Sequence, residues 1–196
     1  MRYATALAAL IAALAAAAYV AWPAFSRTSD RDRAEHARQD AQAIAGALIR
    51  FYRDNGFFPL WARQADGHLA RIDLLVSDGD APSAPPDSLW IAGRVGTLAG
   101  ELVTNRPSYA LREDPDGMGW SGPYLPESPG ADPWGRRYAV NIGLIPSADS
   151  PARDRGPARF AVWVLSSGAD GIIETPYRQP IGNAALAGDD VGVRLQ

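Results

Sequence analysis

The sequence predicts an α+β fold: a long N-terminal helix laid on a small antiparallel β-sheet, with long structured loops joining the strands. Three observations carry this expectation. Apolar residues between Ala34 and Tyr52 recur at three- and four-residue steps. Two β-rich segments come late, at 137–142 and 158–165. Turn-building phrases with aromatic residues set between them fill much of the remainder, notably Trp120-Ser121-Gly122-Pro123-Tyr124-Leu125, Asp132-Pro133-Trp134-Gly135 and Ser167-Gly168-Ala169-Asp170-Gly171.

The helix is expected in two halves. From Ala4 to Trp22 the chain carries no charge and is mostly alanine with Leu7, Leu10, Ile11, Leu14 and Val20. At about 1.5 Å per residue such a run nearly crosses a hydrocarbon core of about 30 Å. Residues 1–25 are therefore read as a membrane helix and 26–56 as its soluble continuation, with 57–196 as the globular domain. Two other readings of the run stay open, a cleaved signal peptide ending near Ala16–Ala18 and a mis-assigned start codon. In the soluble half, Ala34, Ala37, Ala41, Ile44, Leu48 and Tyr52 form one apolar stripe opposite Arg33, Asp40 and Arg50. Gly56 stands where a left-handed cap ends the helix.

Further along, Leu69–Val76 reads as a short helix or strand, and 77–88 as a loop around Asp78-Gly79-Asp80 and Pro82, Pro85 and Pro86. Thr97–Thr104 reads as a short amphipathic helix. Residues 62–111 as a whole carry no decipherable role. Arg137–Ile142 and Ala158–Leu165 are the expected strands, joined by a long connection over 146–157, and Val191–Leu195 is a short terminal strand. Trp120, Trp134 and Trp163 are expected to anchor core and loops, whereas Trp61 and Trp90 are either loop anchors or a partner-facing patch.

Composition excludes several classes of function. Among 196 residues there is no cysteine, so disulfides, thiolate metal sites and a cysteine nucleophile are absent. A net charge of −3 with arginines scattered among acids gives no basic surface for nucleic acid. His36 and His68, the two histidines, have no metal-ligand spacing. No phosphate loop, dinucleotide fingerprint or nucleophile elbow occurs. The acid pairs Glu113/Asp114 and Glu127/Asp132 have no spacing that marks a glycosidase. The expectation is a non-enzyme with no small-molecule substrate.

The turn phrases, taken in order, resemble the major pseudopilin family of the type II secretion system, general secretion pathway protein G. The matching residues are Asp54-Asn55-Gly56 with Pro59, Trp120 to Tyr124, Asp132 to Tyr138, Ser166 to Gly171, and the late acids Asp189-Asp190. The resemblance covers roughly residues 34–196 and leaves an unmatched stretch in the middle. It implies a pilin-like fold in which Pro23 marks the end of the membrane half of the helix. It also implies a single-pass inner-membrane protein of a bacterial envelope, its globular domain in the periplasm. Such a subunit acts in protein secretion, associating with itself or with other pseudopilins through the N-terminal helix. Anchoring the alignment on Pro23 sets Met1 at the family's leader glycine, Arg2 at its phenylalanine and Ala6 at its assembly glutamate. Arg27, Arg31, Arg33 and Arg38 also outweigh Arg2 across the span, against the positive-inside rule. These departures support an alternative, a stand-alone membrane-anchored periplasmic binding or accessory protein that keeps the domain without polymerising.

One constellation has ligand chemistry. Asp170 in its glycine-rich reversal, with Asp189 and Asp190 downstream, offers hard oxygens of the kind calcium takes six to eight at a time. The resemblance implies calcium at this loop, with Asp170 as a ligand, Ser167 donating a carbonyl and Asp189 or Asp190 closing the site. The other reading of these acids is that they form Asx-turns and caps.

Overall fold

The computed structural model describes residues 2–85, 88–147 and 159–195, with side chains described from residue 29 onward. The first helix, α1, runs unbroken over Arg2–Asn55. Side chains of the Ala4–Trp22 run, the expected anchor, lie outside the described residues. Among the described residues no helix is long and apolar enough to cross a membrane. Gly56 ends α1 as expected: at φ +77° its N–H donates to the Tyr52 carbonyl at 2.8 Å, a conformation open to a residue without Cβ.

Burial along α1 begins at Ala37 and continues through Ala41, Ile44, Ala45, Ala47, Leu48 and Phe51. The stripe is thus the expected one except at its end. Phe51 turns into the core, whereas Tyr52 is half-exposed and stacks on Phe58 with ring centroids 4.7 Å apart. The alanines allow the helix axis to approach the sheet closely, which is why a small-residue stripe serves here.

After α1 come β1 (Trp61–Arg63) and β2 (Leu69–Arg71), paired antiparallel as a separate two-stranded hairpin. The main sheet has five strands in the order β4-β3-β5-β6-β7. Its members are β3 (Leu74–Val76), β4 (Val95–Thr97), β5 (Ala139–Val140), β6 (Trp163–Ser166) and β7 (Val191–Arg194). Two short helices, α2 (Leu89–Ala92) and α3 (Leu98–Leu102), flank β4. Thr97 caps α3 by accepting the Gly100 N–H at 3.1 Å, in agreement with the amphipathic helix expected there.

The sheet differs from expectation in one pairing. β3 and β4 run parallel, with Leu74 opposite Val95, so the sheet is mixed rather than purely antiparallel. A parallel pair needs a crossover, and the loop read at 77–88 together with α2 supplies it. The expected element at Leu69–Val76 splits into β2 and β3 at Ile72-Asp73, where Ile72 N–H donates to Leu60 and the Asp73 and Leu74 N–H groups donate to Arg94. Regular pairing in the expected strand at 137–142 is confined to Ala139–Val140. Residues 148–158, which include most of the expected connection and Ala158, lie outside the described residues.

Strand periodicity separates two cores. Leu75, Val140 and Val164 point to α1, and Leu74, Val76, Ala139, Trp163 and Leu165 point to the opposite face. That second face is closed by Trp90 from α2 and by Ile173 and Tyr177 from the segment after β6. Both faces being covered, the strands read as continuous apolar runs. Trp90 is fully buried, its indole N–H donating to the Thr175 carbonyl at 2.8 Å and its ring meeting Tyr177 edge-on. It is a core anchor rather than a partner-facing residue. Buried Asn141 binds this layer together: its amide donates to Ala161 and Tyr177 carbonyls and its oxygen accepts the Trp163 N–H.

Candidate metal centre

The late loop leaves β6 at Ser166 and is held from two sides. On one side stands the Asp132-Pro133-Trp134-Gly135 turn. Buried Asp132 accepts the Trp134 and Arg136 N–H groups on Oδ1, at 3.0 and 2.8 Å, and the Ser166 hydroxyl on Oδ2 at 2.5 Å. Charge-assisted bonds of this kind are the strong ones. They weld the turn to the end of β6. Arg136 then reaches the loop itself, donating from Nη1 to the Gly168 carbonyl at 3.2 Å.

On the other side stands the approach to β7. Asp189 Oδ2 accepts the Ala169 and Asp170 N–H groups at 2.6 and 3.1 Å. Asp170 Oδ1 accepts the N–H of Ile172 at 2.8 Å, a local Asx-turn. Glu174 Oε2 accepts the Asp189 N–H at 3.2 Å. Gly188 makes this last contact possible, because at φ +60° it lies directly beneath the Glu174 carboxylate, where a Cβ would overlap Oε2.

These bonds gather Asp170, Glu174 and Asp189, with one oxygen of each within 4.8 Å of the others, all three residues being exposed. It is the one such acidic group among the described residues. No described hydrogen bond reaches Asp170 Oδ2, Glu174 Oε1 or Asp189 Oδ1, so each carboxylate keeps an oxygen for a ligand. Without a cation the charges repel, each pair costing about 1 kcal/mol at about 4 Å in a water-like dielectric. Three hard, partly solvated oxygens are a donor set that a calcium-like ion fits, with carbonyls and water completing its shell.

Of the residues the sequence singled out, Asp170 and Asp189 stand together in this group. Asp190 stands apart and is buried. Its Oδ2 accepts the Glu174 and Thr175 N–H groups at 3.1 and 2.7 Å, so it holds the backbone that carries Glu174. Burial pushes its carboxyl above the usual carboxylate range, against the hydrogen bonds from Thr175 and Glu174 that favour the charged form. Ser167 is fully buried, and its hydroxyl has no hydrogen-bond partner among the described residues. Glu174 was missed, because the segment Glu174-Thr175-Pro176-Tyr177 departs from the resembled pattern. The available signal was a third acid on the same reversal, four residues after Asp170. His36 and His68 are both exposed and outside the group.

Fold and acidic loop together define an α+β protein with a long helix on a mixed sheet and a three-carboxylate cluster on the connection between β6 and the edge strand β7. No family model matches the chain, and no curated protein or solved structure matches it significantly.

Proposed function

We propose that this chain is a pseudopilin-like structural subunit of a type II secretion or type IV-pilus-like envelope assembly. The observation that carries the reading is α1. The helix spans 54 residues, about 80 Å at the usual rise. Its first half carries the uncharged, alanine-rich run Ala4–Trp22. On this reading that run enters a bilayer and meets neighbouring helices, with the globular domain on the periplasmic side of the inner membrane. The order of the turn phrases, which resembles that of the pseudopilin family, supports the same reading, and Asp132, Ser166 and Asp170 each make hydrogen bonds that hold those turns. The function is mechanical: helices pack along a shared axis and the globular domains decorate the surface. It needs no catalytic residue and no small-molecule substrate.

Calcium belongs to this reading as an ordering ligand for the late loop. Asp170, Glu174 and Asp189 would hold it, with Arg136 and Asp132 bracing the loop from behind. Its chemistry would be a cross-link between the reversal after β6 and the entry to β7. Ala6, where the family has its assembly glutamate, favours a second reading: a stand-alone membrane-anchored accessory protein with the same domain.

Absence of native cysteine makes a single-cysteine cross-linking test clean. Full-length chain carrying Ala8→Cys or Ala15→Cys, expressed in a bacterial host that supplies the secretion platform, should fractionate with the inner membrane and give a cross-linked dimer, and the double variant with both cysteines should give a ladder of higher species. A membrane-bound monomer at both positions would select the accessory reading, and recovery in the soluble periplasm would overturn both. For the cation, the full chain in mild detergent should melt higher in millimolar calcium than in chelator. Stabilisation of about 2.7 kcal/mol is expected at a hundredfold excess over Kd. Asp170→Asn should abolish that increment and Glu113→Ala should leave it. Equal melting in calcium and chelator would return the three acids to ordinary turn chemistry.

A further inference from the structure

The part of the molecule that the proposed function leaves unused lies at 57–111, where a carboxyl is buried without a counter-ion bonded to it. Glu101 of α3 is 1% exposed. Its Oε2 lies 2.7 Å from the Tyr109 hydroxyl, and the same hydroxyl lies 3.2 Å from the Trp61 carbonyl of β1. A phenol has one proton to give. With Glu101 ionised, the carboxylate and the Trp61 carbonyl compete for it. With Glu101 protonated, the carboxyl donates to the Tyr109 oxygen, Tyr109 donates to Trp61, and both bonds are made.

We propose that Glu101 is a proton-operated latch: in its acid form it completes a Glu101–Tyr109–Trp61 relay that fastens the β1–β2 hairpin to α3, and on ionisation it draws the Tyr109 proton away from Trp61 and loosens the hairpin by that one bond. The hairpin has other ties that do not titrate with it: Ala62 is buried in the core, Arg71 donates to Ser147 and to the Gly143 and Ile145 carbonyls, and Arg63 donates to the Arg106 and Pro107 carbonyls. The 105–108 turn holds Asn105 and Ser108 at φ +50° and +66°, an unfavoured region for residues other than glycine. That turn is closed by the Asn105 side chain, which accepts the Tyr109 N–H and donates to its carbonyl. Tyr109 also meets Phe51 edge-on at 5.1 Å, so the latch sits against the end of α1.

The charges around it are few. The hydrogen bond from Tyr109 and, less strongly, Arg106 on the turn favour the carboxylate. Arg63 of β1 donates to the carbonyls of Arg106, Gly67 and Pro107 rather than to Glu101. Trp120 donates to the main-chain carbonyl of Glu101, and α1 presents the uncharged ring of Phe51. Burial outweighs these and pushes the Glu101 carboxyl up to about 7. The latch therefore works across the neutral range, closed in acid and open in alkali.

Amide hydrogen exchange on the full chain in mild detergent tests this, with rates corrected for the intrinsic effect of pH. Between about pH 5.5 and 8.5 the hairpin amides at 61–71 should lose about tenfold in protection, the effect of one hydrogen bond, while β6–β7 amides hold steady. Glu101→Gln keeps a donor toward Tyr109 without a titrating proton, and should hold the hairpin protected at both pH values. Tyr109→Phe should leave it weakly protected at both. A wild-type hairpin indifferent to pH would overturn the latch. So would the wild-type fall persisting in Glu101→Gln or in Tyr109→Phe.

Discussion

The two faces of the main sheet are covered by different means. Against α1 the sheet meets one continuous helix, and the contact is built from Ala37, Ala41, Ile44, Leu48 and Phe51 on a single stripe. On the opposite face the cover is assembled from pieces distant in sequence: Trp90 of α2, and Ile173 and Tyr177 after β6. The first face draws on period and small volume. The second draws on large aromatic rings with polar edges, fixed by hydrogen bonds from Trp90 to Thr175 and from Tyr177 to Asp73. A helix can be placed by its pattern, whereas a patchwork cover needs specific anchors. The acidic loop grows from the second cover, since Glu174 and Thr175 belong to it.

The sharpest way to break this comparison is to remove one anchor from each face. Trp90→Ala should destabilise the protein by about 3–5 kcal/mol, the range for emptying a buried large aromatic site. It also strands the Thr175 carbonyl, so cleavage by protease near 173–178 should rise. Leu48→Ala should cost about 2–5 kcal/mol and leave that segment as resistant as before. Denaturant midpoints with limited proteolysis decide it. A Trp90 variant nearly as stable as wild type would mean that the second cover is dispensable and that α1 alone secures the sheet.

Stability against pH sharpens the contrast between buried and exposed acids. Glu101, normally near 4.5, is raised to about 7 by burial. A native acid with raised pKa binds a proton that the unfolded chain has released, so its stabilisation is complete below pH 4.5 and is lost as pH climbs to 7. That loss is on the order of 3 kcal/mol, at 1.36 kcal/mol per pKa unit. Denaturant titrations at pH 4.5, 6 and 8 should show the decline, and Glu101→Gln should flatten it. A wild-type profile as flat as that of the variant would place the proton elsewhere.

How much of this was legible in sequence follows from the same contrast. The soluble half of α1, its Gly56 cap, α3 and the late strands were readable because each is a local pattern. The end of the stripe was misjudged by one position, because Phe51 and Tyr52 are both aromatic and periodicity alone does not decide which turns inward. The parallel β3–β4 pair was not legible, since Leu74–Val76 and Val95–Thr97 are three-residue strands whose pairing depends on a crossover. Asp170 and Asp189 could be read from their places beside glycine-rich turns. Glu174 could be read as a third acid on the reversal but not as a member of the group, because its position depends on Gly188 and Asp190, which are brought to it by the pairing of β6 with β7.

A smaller effect tests that dependence. Gly188→Ala should cost about 1–2 kcal/mol for a left-handed residue with a side chain. It should also displace the Glu174 carboxylate, whose Oε2 occupies the place of the new methyl group. Any calcium increment in the melting temperature should shrink with it. Gly182→Ala, with open space around its Cβ position and no positive φ, is the matched control and should change neither. Equal behaviour of the two variants would detach Glu174 from the acidic group.

The smallest effect expected concerns Trp61, the aromatic that most resembles Trp90 in sequence setting and least resembles it in structure. Trp61 is 37% exposed on the β1–β2 hairpin, whereas Trp90 is 1% exposed between sheet and segment 173–177. The hydrogen bond that reaches Trp61 goes to its main-chain carbonyl, which survives any change of side chain. Trp61→Ala should therefore cost within about 1 kcal/mol, closer to a surface substitution than to an emptied core site. Because the carbonyl remains, the variant should also keep the pH response of the hairpin. A loss comparable to that of Trp90→Ala would show that the hairpin is part of the core. A normal stability with no pH response would show that the indole, rather than the main chain, is what Tyr109 holds.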